Sequence, residues 1–155
     1  MANEAANDSD GTSLTVSCVV RVPIENCFAA WTESQKLQSW WGPEGVTCIG
    51  AEIDLREHGL YRIGNKLPDG KLIWITGRFL SISPPNELVY TWQIGDDASA
   101  VQSLVRVNFQ PKDAGTEVTV THSRNVNAQM RDSHLRGWLG CLRGLETYFQ
   151  KLQPS

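Results

Sequence analysis

The last change in the hydrophobic period of this chain comes late. After Gly45, and until about Asn125, apolar residues alternate with polar ones or gather in short aromatic runs. In the final segment Leu135, Trp138, Leu142, Leu145, Phe149 and Leu152 recur at spacings of three and four. Period two marks half-buried strands, and the three/four spacing marks an amphipathic helix. Many strands with one apolar face need a cover, and the long C-terminal helix is the obvious one.

The strands are separated by short turn signals. Leu14, Val16, Cys18, Val20 and Val22 share one face of a first strand, which Pro23 ends. Pro23 also suits the first turn of a short helix carrying Phe28, Ala29, Ala30 and Trp31. Thr32 or Ser34 can cap a second short helix, which buries Leu37, Trp40 and Trp41 and stops at Gly42-Pro43. Alternation then runs through Ile49, Ala51, Ile53 and Leu55, followed by strands at Leu60–Gly64, Leu72–Ser83, Leu88–Ile94, Leu104–Gln110 and Thr116–Ser123. The turns between them are His58-Gly59, Leu67-Pro68-Asp69-Gly70, Pro84-Pro85-Asn86-Glu87, Gly95-Asp96-Asp97 and Lys112-Asp113-Ala114-Gly115. Hairpin-length turns make the sheet antiparallel. The last helix begins within residues 127–132 and ends before Pro154. The reading is α+β: a curved antiparallel sheet of about six to seven strands around a long C-terminal helix, with two short helices after the first strand. Residues 1–12 are small and polar and read as a disordered lead-in, and residues 13–153 as a single domain.

Composition narrows the function classes. The net charge of -3 lacks the basic excess that nucleic-acid binding needs. No run of about 18 apolar residues spans a membrane, and the first residues show no secretory signal. Cys18, Cys27, Cys48 and Cys141 form no C-x-x-C pair, and His58 and His134 stand at no metal-ligand spacing from them. These observations predict free thiols, a cytoplasmic protein, no cofactor and no metal.

Three features could carry function. The first is an aromatic face of Trp74, Phe79, Tyr90, Trp92 and Trp138, which is either a ligand wall or plain core. The second is a glycine stripe, Gly137, Gly140 and Gly144, on one side of the last helix. Each mid-helix glycine costs about 1 kcal/mol relative to alanine, so close backbone packing, or room for a ligand or a partner helix, must compensate. The third is His122, inward on the last strand: a polar anchor, an acid/base group, or a core histidine bonded to a neighbour such as Tyr90. No second catalytic group converges on it, so binding ranks ahead of catalysis. Arg124, Arg131, Arg136 and Arg143 read as a solvated face and, second, as an anion or partner patch.

An ordered set of segments carries a family likeness: Val22-Pro23 with Ala30-Trp31, Leu37-Gln38-Ser39-Trp40-Trp41-Gly42, Gly77-Arg78-Phe79-Leu80-Ser81-Ile82-Ser83-Pro84-Pro85, Leu88-Val89-Tyr90-Thr91-Trp92, Gly115-Thr116-Glu117-Val118-Thr119-Val120-Thr121-His122 and Gly137-Trp138-Leu139-Gly140-Cys141-Leu142. Over roughly residues 14–152 the chain resembles the activator-of-Hsp90-ATPase-homologue-1-like (AHSA1-like) family of the START/Bet v 1 (SRPBCC) superfamily. The resemblance implies the helix-grip fold with a cavity between sheet and long helix. It implies a binding protein for a small hydrophobic or aromatic molecule of the lipid, sterol, flavonoid or polyketide class. The cavity would be walled by Trp74, Phe79, Tyr90, Trp92, Val105, Trp138 and Leu142, with His122 as polar anchor. The alternatives are an Hsp90-type chaperone accessory or stress-response interaction protein, and a polyketide cyclase/aromatase-like enzyme. The N-x-N-N-W-H-W motif of the eukaryotic co-chaperone is missing, which puts the chaperone reading second. A monomer or weak homodimer is expected.

Overall fold

Alternating residues of Leu14–Val20 fall inward, on the buried face of a curled antiparallel sheet. The computed structural model describes residues 3–7, 12–42, 45–95 and 102–152. Its strands are β1 (Asn3–Asn7), β2 (Ser13–Val20), β3 (Thr47–Ile53), β4 (Leu60–Lys66), β5 (Leu72–Ser83), β6 (Glu87–Ile94), β7 (Ser103–Lys112) and β8 (Gly115–Ser123). The helices are α1 (Ile24–Thr32), α2 (Ser34–Trp40) and α3 (Ala128–Leu152). The strand order is β1-β2-β8-β7-β6-β5-β4-β3, every neighbouring pair antiparallel. This is the helix-grip arrangement expected from the change of period.

Four details depart from the pattern reading. Residues 3–7 of the expected disordered lead-in form β1 on the free edge of β2, with Ala5 opposite Thr15. Such pairing needs only main-chain N–H and C=O groups, so a small polar sequence suffices. Residues 8–11 of the lead-in, and Asp96-Asp97 of one expected turn, lie outside the described residues. In β3 the register shifts between Cys48 and Gly50, which leaves Ile49 exposed while Cys48, Ala51 and Ile53 pack on the core. Neither Thr32 nor Ser34 caps α2: Glu33 holds that position, and the Thr32 hydroxyl donates back to the Phe28 carbonyl inside α1. Leu152, expected on the buried stripe of α3, is exposed in its last turn.

Helix α3 starts where the Asn127 side chain accepts a hydrogen bond from the Met130 amide at 2.8 Å, an N-cap geometry. Its inward stripe is Trp138, Cys141, Leu142, Leu145 and Phe149. The facing strands supply Val16, Cys18, Val105, Val107, Phe109, Val118 and Val120, all nearly inaccessible. Helix α1 closes one end by setting Phe28 and Trp31 edge-on against Phe109 at 5.7 and 5.9 Å. Helix α2 meets α3 so closely that a Cβ on Gly144 would lie 2.5 Å from the Trp40 carbonyl oxygen. A residue with any side chain is excluded there, which answers the question of that glycine. Gly137, two turns earlier, has nothing within 4 Å of the same position. The helix therefore presses on the fold at one glycine and stands clear of it at the other.

Candidate functional site

The space beside Gly137 is a cavity of about 240 Å³ between α3 and strands β4–β6. Ile73 and Ile75 of β5, Trp92 and Ile94 of β6, and Trp41 after α2 give it apolar walls. Gly137, Trp138 and Cys141 form the helical side, with Ser133 and His134 nearer the helix start.

The predicted site residues separate into three groups. Trp92 and Trp138 line this cavity, with rings 5.4 Å apart. Phe79 and Tyr90 line a void of only about 20 Å³ with Trp31, Leu37, Ile53, Tyr61 and Ile63, which is core already filled by side chains. Val105, Leu142 and His122 are fully buried and touch neither space. Trp74 is on the opposite face of β5: its ring lies over Gly64, where a Cβ would come within 2.8 Å of it, and beneath the Arg62 guanidinium at 4.3 Å. Apolar residues occupy both faces of β5, so alternation could not tell Trp74 from Ile73 and Ile75.

Five of the six tryptophans form one cluster. Trp31 stacks on Trp138 at 6.1 Å and 17°, Trp41 meets Trp138 edge-on at 5.5 Å, and Trp40 touches both Trp31 and Trp41. Most of their N–H groups are committed. Trp31 donates to the Tyr90 hydroxyl, Trp40 to the Ala30 carbonyl, Trp41 to Asn65 Oδ1 and Trp138 to His122 Nδ1. Trp92 Nε1 is buried and has no partner among the described residues.

The bond from Trp138 fixes the protonation of His122. An indole N–H can only donate, so His122 Nδ1 accepts at 3.0 Å and the proton sits on Nε2. Nε2–H then donates to Ser103 Oγ at 2.7 Å, and that hydroxyl donates to the Trp92 carbonyl at 3.3 Å. Both ring nitrogens are engaged by the protein. His122 is thus a core histidine, bonded to Trp138 and Ser103 rather than to Tyr90. Burial, and secondarily His134, push its pKa well below the usual histidine value.

His134 holds the position sequence reasoning assigned to His122. Its ring stacks on His122 at 4.4 Å and 15°, and it lines the cavity. Its Nδ1 meets Asn125 Oδ1 at 2.5 Å, while Asn125 Nδ2 donates to the carbonyls of Thr12 and His122. The Asn125 oxygen is therefore an acceptor, which places the His134 proton on Nδ1 and a lone pair on Nε2. Burial lowers the pKa of His134 as well. A signal for it was present: position 134 is one turn before Trp138, on the same face of the helix.

The thiols are free, as expected, and burial raises their pKa values, to about 12 for Cys18 and Cys141 and about 11 for Cys27. Such thiols are poor nucleophiles. Among the described residues there is no metal-binding group of histidine, cysteine and carboxylate side chains, and no helix is long and apolar enough to cross a membrane.

Solved structures place the fold among known ones. Protein Ms6760 of Mycobacterium smegmatis is 17% identical with a TM-score of 0.82, over 99% of this chain and 96% of that one. A Rhodobacter sphaeroides protein is 20% identical with a TM-score of 0.82, over 99% of this chain and 100% of that one. The AHSA1 protein of Silicibacter pomeroyi is 24% identical with a TM-score of 0.81, over 91% of this chain and 99% of that one. At these identities the likeness concerns the fold. No curated protein matches the sequence. The family described as Activator of Hsp90 ATPase homolog 1-like protein matches residues 21–150. With that match over most of its length, the chain belongs to the activator of Hsp90 ATPase homolog 1-like family.

Proposed function

We propose that this protein binds a small hydrophobic or aromatic molecule between α3 and strands β4–β6, as a carrier, sequestering protein or sensor. The observation that supports this reading is the 240 Å³ space walled by Trp41, Ile75, Trp92 and Trp138 where Gly137 withdraws the helix surface. Ligand sites are concave, mostly apolar and furnished with few polar groups. The volume falls just below the usual range of about 300–1,000 Å³, so the guest is small, about the size of two fused rings. A guest burying about 200 Å², like a tryptophan side chain, gains about 5 kcal/mol at ~25 cal/mol per Å². Ordering costs reduce that, which sets dissociation constants for simple guests near the millimolar range. In this proposal residues 13–153 act as one domain, cytoplasmic and monomeric or weakly dimeric.

Amide shift mapping with two-ring aromatics, fatty acids, sterols and flavonoids tests the reading. The amides of Ile75, Trp92, Gly137 and Trp138 move if it is right. Silence at all four with every compound rejects it.

One observation favours a second reading, that of an interaction or chaperone-accessory protein. Leu60 and Leu80 are exposed beside a surface recess on the outer face of β4–β6 that also carries Arg62 and Arg78. A pull-down in which charge reversal at Arg78 removes a stoichiometric partner, while cavity variants do not, would favour that role.

A further inference from the structure

The sheet turns two different surfaces to solvent. On β2, β7 and β8 the outward positions carry Thr15, Ser17, Arg106, Asn108, Thr119 and Thr121, and none of the exposed large hydrophobic residues lies on these strands. That is the usual pattern of an antiparallel sheet with one solvated face. Strands β3–β5 depart from it. Ile49, Leu60, Leu72 and Leu80, four of the nine exposed large hydrophobic residues, lie on them.

These side chains share one face with Trp74. Leu72 lies two positions before Trp74 on β5, opposite Lys66, and Leu60 stands opposite Arg78. The Trp74 ring and the Ile49 side chain both close over Gly64, where a Cβ would come within 2.9 Å of each. Arg62 lies over the Trp74 ring at 4.3 Å. Leu60 and Leu80 flank a recess of about 440 Å³ lined also by Arg62, Thr76, Arg78 and Thr91. A contiguous apolar strip with charged neighbours marks an interaction surface.

The charge of this face opposes that of the chain. Strands β3–β5 hold three cations, Arg62, Lys66 and Arg78, and one carboxylate, Glu52. Arg62 takes Glu52 at 3.3 Å. Among the described residues no carboxylate comes within ion-pair distance of Lys66 or Arg78. The chain as a whole carries -3.

These features select the occupant. The same face of a second copy would set Lys66 and Arg78 against like charges. A bilayer is broad and leaves a concave recess unfilled. A carboxylate side chain enters the recess, and its apolar neighbours settle on Leu72 and Trp74.

We propose that the outward face of β3–β5 docks an acidic, apolar-bearing segment of a partner protein, its carboxylates toward Arg78 and its apolar side chains on the strip of Ile49, Leu72 and Trp74. This inference rests on the interaction reading above and names the chemistry of the partner. Burial of the strip gives affinity, and the cations give selectivity and encounter rate.

The test uses three peptides of about ten residues, long enough to cross the face. One alternates aspartate with leucine and tryptophan. The second has lysine in place of aspartate, and the third has serine in place of the apolar residues. Each is titrated into the full chain and followed by nitrogen-15 NMR. The expected result is that the first peptide alone shifts the Trp74 indole and the amides of Leu72 and Arg78. Arg78→Glu weakens its binding about tenfold and Leu72→Ser about threefold. Both side chains are exposed, so the core is left intact. Raising salt from about 50 to about 500 mM weakens binding to the unmodified protein as well.

Equal binding of the lysine or serine peptide, shifts confined to Trp92 and Gly137 in the cavity, or no shift from any peptide would each overturn the proposal. So would either of two other occupants: a chain dimer in sedimentation that Leu72→Ser dissolves, or capture on phosphatidylserine vesicles that Leu72→Ser abolishes. Failure of the interaction reading is a separate result. If the peptides leave the face untouched while charge reversal at Arg78 still removes a stoichiometric partner, only the acidic chemistry falls. If neither peptide nor partner engages the face, both fall.

Discussion

The imidazoles of His122 and His134 lie face to face, 4.4 Å apart and 15° from parallel, joining the last strand to the first turns of the last helix. His122 holds Trp138 and Ser103, and Asn125 holds His134. The stack ties the wall of the cavity to the core, and it is stable only while both rings are neutral.

Acidification should therefore weaken the fold early. Both histidines titrate lower in the folded chain than in the unfolded one, where the value is about 6.5. Above about pH 6.5 neither state takes up these protons and stability is flat. Below it the unfolded chain binds protons that the folded chain refuses. Stability then falls by up to about 1.4 kcal/mol per pH unit for each group, until its folded pKa is reached. Urea midpoints between pH 7.5 and 5.5 should decrease, and His134→Phe should reduce the slope. A flat profile would show that the pair is not held neutral.

The two helix glycines should respond with opposite signs. Gly137→Ala recovers about 1 kcal/mol of helix propensity, since its methyl meets nothing within 4 Å, and raises the melting temperature by a few degrees. Gly144→Ala drives a methyl to 2.5 Å from the Trp40 carbonyl oxygen and should destabilise the protein. Equal shifts in calorimetry would contradict the asymmetric packing of α3.

Ser103→Ala should cost about 1–3 kcal/mol although it removes a single oxygen. It leaves His122 Nε2–H and the Trp92 carbonyl without the hydroxyl that joins them in the core. Chemical denaturation measures this. A loss below about 0.5 kcal/mol would mean that water replaces the hydroxyl.

Thiol labelling under native conditions should modify Cys48 alone. Cys18, Cys27 and Cys141 are buried, with thiol pKa values raised to about 12, 11 and 12, while Cys48 is half-buried. Mass spectrometry after brief treatment with a maleimide should find one adduct per chain, and unfolding in urea should release the other three.

Strand faces and the long helix were legible because each repeats one geometric rule many times. Trp138, Leu142, Leu145 and Phe149 mark the helix stripe, and Val118, Val120 and His122 mark an inward face. Edge pairing by Asn3–Asn7 was not legible, since it uses backbone groups that every residue carries. Nor was the cavity's position. Alternation says which way a side chain points, but not where a helix stands away from the sheet. That depends on Gly137 and Gly144, which are the same residue in sequence and opposite in space. Trp74 was misplaced for a similar reason: its face is set by Gly64 on the neighbouring strand, a partner that no local pattern identifies.

The clustering of Trp31, Trp40, Trp41, Trp92 and Trp138 gives the molecule an optical property. Neighbouring indoles at these separations share excitation energy, so ultraviolet light absorbed by any of them reaches the others before it is emitted. A guest touching Trp92 or Trp138 would change the colour and yield of the whole group's emission, and the stacked Trp31–Trp138 pair would register it in near-ultraviolet circular dichroism. For the guest proposed above, the cluster would be an unlabelled gauge of occupancy.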